Sequence, residues 1–555
     1  MRTRRPGMEV VISAHKSVAE LGVIGQAEAM HQIMDAERDA TLAYLDRVTR
    51  EMGGRRGEAS KATPTGGLIY AHTRHATSRA GDPCPHDHIL LANLLEMKDE
   101  QGGWKAADTA LWREHLHAAT MTGRLAAARV GVELGYAIEA DAGPSGRLGH
   151  WRIAGVPDQV MEVHSKRAAE IEAECRRRGD NSYRARGVAA RQTRKAKRHE
   201  PEGQLLERWR AELSDAGWPV KRIEASVEAA RRNTELPARL TITDARRLVA
   251  EVLAPDGDLA RRKVFSRRHL VVALAPHLYG QAPGVLDRMV DRVLADPEVV
   301  PLVGVAAARE TAHSLASVLA REEAIAESLG RQLARDDGPA VPREVVKASI
   351  ASIEEELGAP LWDEQREAAV GICTSGRGAE IVVGVAGAGK TTMLRAGAEA
   401  FERCGFQVIG TATSGQAARN LAVEAEIDDS RTLASLIWRL DHGQLCLSEK
   451  TAILLDEVGM TDDIDLARLA AYVELAGAKL VLTGDHHQLG SAGPGGALGA
   501  LVARHAAAVH HLSENRRQRD PAERKALDEL RDGDAAEGPV PRRSSQRPGR
   551  WWSWS

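Results

Sequence analysis

A chain of 555 residues is too long for one core, and the usual allowance of about 100–200 residues per domain gives roughly three domains. Its 75 Lys and Arg against 78 Asp and Glu leave a formal charge of -3, so there is no whole-chain basic excess and charge has to be read segment by segment. Five scattered cysteines (Cys84, Cys175, Cys373, Cys404, Cys446) without CxxC spacing argue against a disulfide framework or a thiolate zinc site and fit a reducing, cytoplasmic interior; no apolar run approaches the roughly 20 residues of a membrane helix, so no membrane insertion is expected.

In chain order, EVVISAHKSV reads as a strand, and the stretch to about Met52 carries apolar residues at helical spacing. GGLIYAHTRHATSR and HDHILLANLLEM then read as two strands flanking a loop, because their apolar runs are bounded by Gly, Pro and Asp. TALWREHLHAATMTGRLAAARVGVELG is a helix by its recurrence of Leu, Ala and Val. Residues 176–198 hold ten Lys or Arg against one Asp, which is either a solvated helical face or a stripe that neutralises phosphates. Residues 200–345 read as helical with Pro and Gly breaks. From IEEELGAPLWDEQREAAV onward strands alternate with helices, the pattern of a parallel α/β sheet.

That last region carries the sharpest motif. In IVVGVAGAGKTTML an apolar strand is followed by Gly384, Gly389, Lys390 and Thr391 as G-x-x-x-x-G-K-T, with Gly387 and Thr392 in the same loop and helix start. Glycines let successive N–H groups face phosphates at a helix N-terminus, Lys390 brings charge to the β and γ phosphates, and Thr391 ligates Mg²⁺. A second strand, TAILLDEVGM, ends in Asp456 and Glu457, the first to hold Mg²⁺ and the second to polarise the attacking water. A third, KLVLTGDHHQL, ends in Asp485 and Gln488, whose amide suits sensing the γ-phosphate.

GVAGAGKTT, LLDEVGM and LTGDHHQL resemble motifs I, II and III of superfamily 1 DNA helicases of the RecD-like group. The resemblance implies that Gln365 reads adenine, that TATSGQAARNL lies on the DNA track, and that Arg517 reaches the γ-phosphate. It also implies a second RecA-like domain, before which this chain is expected to stop; the tail PVPRRSSQRPGRWWSWS reads as anomalous.

Upstream, His75, His86 and His88 form H-x(10)-H-x-H. Two residues two apart on a strand share a face, and His75 on a neighbouring strand can supply a third imidazole for a divalent transition metal (Mn, Zn or Ni) with open positions. Asp82 and Asp87 flank the histidines as candidates to orient them.

RHATSRAGDPCPHDHILLAN resembles the HUH motif of MobF (TrwC-type) conjugative relaxases, and GMEVVISAHKSV resembles that family's upstream strand. The second likeness places Glu9 where an acidic residue assists a metal-binding histidine or the nucleophile; Glu for Asp at position 9 and His15 for Pro are departures. The resemblance implies a transesterase on single-stranded DNA at a plasmid origin of transfer, using a tyrosine nucleophile. No nucleophilic tyrosine is identified, since Tyr44, Tyr70, Tyr136, Tyr183, Tyr279 and Tyr472 all lie downstream of the Glu9 strand and match no family motif.

The expected organisation is a partial HUH relaxase domain with an antiparallel sheet and helices over 1–155 and a basic, helical connecting region over 156–345. A RecA-like P-loop α/β domain over 346–537 and the tail over 538–555 follow. The expected function is a conjugative relaxase-helicase using ATP with Mg²⁺ and one transition metal, truncated at both ends, and working with coupling and secretion proteins. The alternatives are a RecD-like DNA-dependent ATPase without nicking activity, or an inactive DNA-binding remnant.

Overall fold

Alternation decides the centre of the N-terminal half. In PCPHDHILLA the odd-numbered residues Pro83, Pro85, Asp87, Ile89 and Leu91 are buried and the even-numbered ones are partly or fully exposed, as a pleated strand with one covered face requires. The computed structural model describes residues 6–513 apart from 53, 57–60, 99–101, 143–148, 181, 195–199, 234–239, 256, 258, 260–261, 308–309, 386 and 486–494. The chain divides into two compact units, residues 1–259 with 264–314 and residues 260–263 with 315–555.

The first unit opens with β1 (Gly7–Ser13), α1 (Lys16–Val23) and α2 (Ala27–Met52), followed by a short pair, β2 (Gly54–Arg56) and β3 (Lys61–Thr63). Then come β4 (Tyr70–Thr77), β5 (Pro83–Ala92), a second short pair β6 (Leu95–Glu96) and β7 (Trp104–Lys105), α3 (Thr109–Glu133), β8 (Ile138–Asp141) and β9 (His150–Ile153). β5 is central in a sheet of order β1-β5-β4; its antiparallel pairing is the one expected from the sequence. Helices α4 (Asp158–Val163), α5 (Lys166–Arg178), α6 (Tyr183–Gln192), α7 (Glu202–Asp215) and α8 (Val220–Asn233) follow. The unit closes with α9 (Ile242–Leu253), α10 (Arg267–Leu274), α11 (Val285–Leu294) and paired strands β10 (Val299–Ala307) and β11 (Glu310–Leu315). This pair corrects the sequence reading of 200–345 as helical. Its valines and alanines carry no period that separates helix from strand.

Two contacts fix how the helices back the sheet. At Gly123 of α3 an added Cβ would stand 2.1 Å from Thr41 Oγ1 and 2.5 Å from the Glu37 carbonyl of α2, so the two long helices cross with backbones nearly touching. Beside that crossing the Glu37 carboxyl is buried, and burial raises it to about 7, with nearby Arg124 opposing and Asp87 adding to the rise. On the covered face of the sheet, Arg74 of β4 makes a bidentate pair with Asp87 of β5, Nε to Oδ1 at 2.7 Å and Nη2 to Oδ2 at 2.8 Å. His72 joins through Nε2 to Asp87 Oδ1 at 2.8 Å, and Asp35 of α2 takes Arg74 Nη2 at 2.9 Å. Arg74 and Asp87 are register partners, so this pair locks β4 to β5.

The second unit contains α12 (Ala316–Ala334), α13 (Arg343–Leu357), α14 (Asp363–Thr374), β12 (Ala379–Gly384), α15 (Lys390–Arg403), β13 (Gln407–Ala412) and α16 (Gly415–Glu424). It continues with β14 (Ser430–Thr432), α17 (Leu433–Asp441), β15 (Thr451–Asp456), α18 (Asp463–Ala476), β16 (Lys479–Gly484), α19 (Ala497–Arg504) and β17 (Val509–Leu512). Six parallel strands run in the order β14-β13-β15-β16-β12-β17. All six residues of β12 and of β16 are buried, as expected of parallel strands covered by helices on both faces. Among the described residues, no helix is long and apolar enough to cross a membrane.

Two stability effects follow. Removing one partner of the sheet lock leaves the Arg74 charge partly buried without its main partner, so Asp87→Ala is expected to lower unfolding free energy by about 3 kcal/mol, read from denaturant midpoints at neutral pH. For Glu37, a folded value above the unfolded 4.5 means the folded state holds the proton more tightly. Its stabilisation is therefore full at low pH and declines as pH rises from 4.5 towards about 7. Glu37→Gln is expected to remove that part of the decline in melting temperature over this range.

Candidate metal centre and nucleotide site

The register of the antiparallel sheet sets the first site. His86 opposes Ser13 of β1 and His75 of β4, while His88 opposes Val11 and Thr73. All three histidines project from the face of the sheet opposite Asp87. Their ring centroids are 4.9–5.4 Å apart, each pair close to perpendicular, and one nitrogen from each lies within 4.8 Å of the others. This face also shows Val11 and Leu90, both about half exposed.

What the other ring nitrogens do decides the tautomers. His86 Nδ1 donates to the Cys84 carbonyl at 2.7 Å, and His88 Nδ1 donates to Glu9 Oε1 at 2.7 Å. Each of these rings then keeps its Nε2 lone pair for a ligand, the arrangement in which a second partner orients a metal-binding imidazole. The donor set, three partly buried imidazoles with one nitrogen of each converging, fits a divalent transition metal.

The flanking aspartates do not touch the histidines. Asp87 lies between two residues that face outward, so strand parity turns it inward to Arg74 and His72. Burial works to raise its carboxyl, and the hydrogen bonds from those two groups outweigh it, holding Asp87 below its ordinary value. Asp82 is engaged in the preceding turn, accepting from Ser78 Oγ at 3.4 Å and from the Arg167 amide at 3.3 Å. That turn is itself held by α7, whose Trp209 Nε1 and Arg208 Nη2 donate to the Gly81 carbonyl at 2.8 and 3.0 Å. Sequence reasoning missed the Cys84 carbonyl, which has no side-chain signature; of the two roles the resemblance implies for Glu9, its bond to His88 matches the one beside a histidine of the triad. Of the tyrosines, Tyr44 is buried with its hydroxyl 3.3 Å from His115 Nδ1, and Tyr70 stands on the Arg74 face of β4.

The second site lies at the carboxyl ends of the parallel strands, where such sheets bind ligands. Between β12 and α15 the loop turns through Gly387 and Gly389, whose φ angles are +80° and +78°, a region that costs glycine nothing. Thr391 and Thr392 lie in the first turn of α15. Lys390 Nζ donates to the carbonyls of Gly384 and Val385 at 2.7 and 3.3 Å. Gln365 spans from α14 to the loop, accepting from the Trp362 amide at 3.0 Å and donating to the Gly389 carbonyl at 3.1 Å; a Cβ at Gly389 would lie 2.0 Å from its Nε2. Asp456 ends β15 and is fixed by Thr483 Oγ1 at 2.8 Å, a partner the sequence reading did not single out although it precedes the Gly-Asp strand end. Glu457 has φ +56°, and burial, then Asp456, raises its carboxyl against the pull of Lys390. Asp485 is buried after β16. Gln488 and Arg517, and the tail from 538, lie outside the described residues.

Residues 1–216 match the TrwC relaxase family and residues 360–543 match an AAA domain family. The chain thus carries a TrwC relaxase domain followed by an AAA domain, the second of which implies a nucleotide with Mg²⁺. It is similar to the probable conjugal transfer protein TraA of Sinorhizobium fredii, 36% identical over 248 residues, covering 44% of this chain and 22% of that protein. It is also similar to conjugal transfer protein TraA of Agrobacterium fabrum (33% identical, 57% of this chain, 27% of that protein) and to multifunctional conjugation protein TraI of Escherichia coli (26%, 54% and 17%). These matches therefore span about a quarter or less of the relatives' length. Among solved structures, the copper-bound conjugative relaxase TrwC in complex with oriT DNA aligns at 23% identity over 39% of this chain and 72% of that chain, TM-score 0.35. TrwC complexed with a 27-mer DNA aligns at 23% identity over 39% and 75%, TM-score 0.34.

If the triad is a metal centre, the purified chain carries about one equivalent of a divalent transition metal, and the His86→Ala, His88→Ala double variant is expected to lose it by elemental analysis. Glu9→Gln is expected to weaken affinity by about 10- to 100-fold while leaving the ligands in place, measured by chelator competition.

Proposed function

We propose that the chain is the strand-transfer and motor portion of a conjugative relaxase-helicase, acting on single-stranded DNA at a plasmid origin of transfer and passing the strand to coupling and secretion proteins. The observation that carries this reading is the trio of imidazoles, two with Nε2 kept free by partners behind them, in one chain with a P-loop site. Glu9 and the Cys84 carbonyl hold His88 and His86 in the tautomer that can ligate, and His75 completes the set. His75, His86 and His88 would hold the metal, which when bound would supply Lewis-acid polarisation of a phosphate oxygen; manganese, zinc and nickel all suit the ligands.

In the motor, Lys390 exchanges its loop carbonyls for the β and γ phosphates and Thr391 and Asp456 hold Mg²⁺. Glu457, its carboxyl raised by burial, polarises the attacking water. Gln365 reads adenine, with Gln488 and Arg517 serving the γ-phosphate.

A second reading, a DNA-dependent ATPase without nicking activity, is favoured by one observation. Among the described residues, Tyr44 is buried against His115 and Tyr70 stands on the sheet face opposite the triad. Incubating the chain with single-stranded origin DNA separates the two. A covalent DNA–protein adduct that needs metal and is lost in the His86→Ala, His88→Ala variant supports transfer; ATP hydrolysis stimulated by single strands with no adduct supports the second reading. Lys390→Ala is expected to cut that hydrolysis by on the order of 100-fold, and absence of hydrolysis in the parent chain sinks both.

A further inference from the structure

Neither family match covers residues 217–359, and within them one segment has a definite topology. After α9, Phe265 forms a single antiparallel bridge with His313 of β11, its amide donating to the His313 carbonyl at 2.9 Å and receiving that residue's amide on its own carbonyl at 2.7 Å. Helices α10 and α11 follow, then β10 and β11, which pair with each other. The order is helix, a single bridge residue in the place of a first strand, helix, turn, helix and a two-stranded wing, with the bridge residue beside the last strand. This is the topology of a winged helix, a variant of the helix-turn-helix arrangement. The three helices pack on one another, and Leu248, Val249 and Val252 from α9, the bridge residue Phe265, Leu270 and Leu274 from α10, and Leu286, Met289, Val290 and Val293 from α11 are all buried. A capping box between Ser266 and His269 starts α10, and Ser266 Oγ donates to Glu310 at the start of β11.

The faces of this module are not equivalent. Its second helix and the following turn pack on α3, with Arg129 Nη1 donating to the Gly280 carbonyl at 3.3 Å and Arg268 3.7 Å from Glu114. The third helix, α11, shows Asp287, Arg288, Asp291 and Arg292 to solvent. Arg267 from α10 pairs with both acids, Nη2 to Asp287 Oδ1 at 2.8 Å and Nη1 to Asp291 Oδ1 at 2.5 Å. Arg288 and Arg292, one helical turn apart, have no ion-pair partner among the described residues, so the exposed stripe carries two uncommitted cations and no uncommitted anion. On the wing, Val303 is 98% exposed, and β10, VVPLVGVAA, contains no carboxylate.

We propose that residues 241–259 with 264–314 are a duplex-DNA-binding module, with α11 against the groove, Arg288 and Arg292 on phosphates of one strand and the wing strand β10, which carries no charged residue, on the adjoining backbone. A helix advances about 6 Å in four residues, a span that suits two neighbouring phosphates. Because the acids are neutralised internally and the recognition is of backbone, binding is expected to be strong in low salt and weakly dependent on sequence. The proposal rests on the reading of the chain as a DNA-processing protein, but it concerns another surface and the double-stranded form.

The test is fluorescence anisotropy of the full chain on a labelled duplex of about 20 base pairs and on one of its single strands, across about 50 to 200 mM salt. Arg288→Gln with Arg292→Gln is expected to weaken duplex binding at least about tenfold and to reduce the slope of log affinity against log salt by about 1.8, roughly 0.9 for each phosphate no longer neutralised. Metal content and single-strand-stimulated ATP hydrolysis are expected to stay at parent values. Val303→Asp, which sets a charge on the wing without touching α11, is expected to weaken the duplex complex as well. Unchanged duplex affinity and salt slope in the arginine double variant overturn the proposal. A parent chain that lacks metal and hydrolyses no ATP overturns the functional reading instead, leaving the duplex measurement to stand by itself.

Discussion

The interaction on which the N-terminal unit turns is the Arg74–Asp87 pair on the covered face of its sheet. A sheet residue points one way, and its neighbours along the strand point the other. Fixing Arg74 to Asp87 from behind therefore fixes His75 against His86 in front, at a separation the rings need in order to share a ligand. A slip of one residue between β4 and β5 would carry His75 to the buried side and the arginine to the surface. The pair costs desolvation to bury, and Asp35 and His72 offset part of that by using the remaining hydrogen-bonding capacity of both partners. Sheet register and ligand geometry are thus one constraint seen from two sides.

The nucleotide site is held in a different way. Its groups sit at the ends of fully buried parallel strands, so their positions follow from the sheet rather than from ion pairs. Thr483 at the end of β16 holds Asp456 at the end of β15, one strand end steadying the next. The left-handed backbone at Glu457 is unusual for a residue with a side chain and is held by the helical turn that follows it.

How much of this was legible in the sequence depended on range. The P-loop and the paired histidines are local patterns whose residues act within one strand-to-helix junction or on one strand, and they were visible at once. Asp87 was readable too, because parity alone turns a residue between two outward histidines inward; reading it as a flanking partner followed proximity in sequence instead of the pleat. The Cys84 carbonyl was not readable, since every residue has one. Nor was the winged module, whose defining contact is a single bridge between Phe265 and His313, two positions with no mutual signal across an intervening run of helices. The wing itself, rich in valine and alanine, offered no period to separate it from the helices around it.

One further consequence lies in the sheet's open face. Since the residues that hold the sheet together point backward, those between and beside the histidines, Val11, Thr73 and Leu90, sit outside the core. Substitutions at such exposed positions usually change stability by no more than about 0.5 kcal/mol. The surface around the three histidines can therefore be redrawn at little cost to the scaffold beneath.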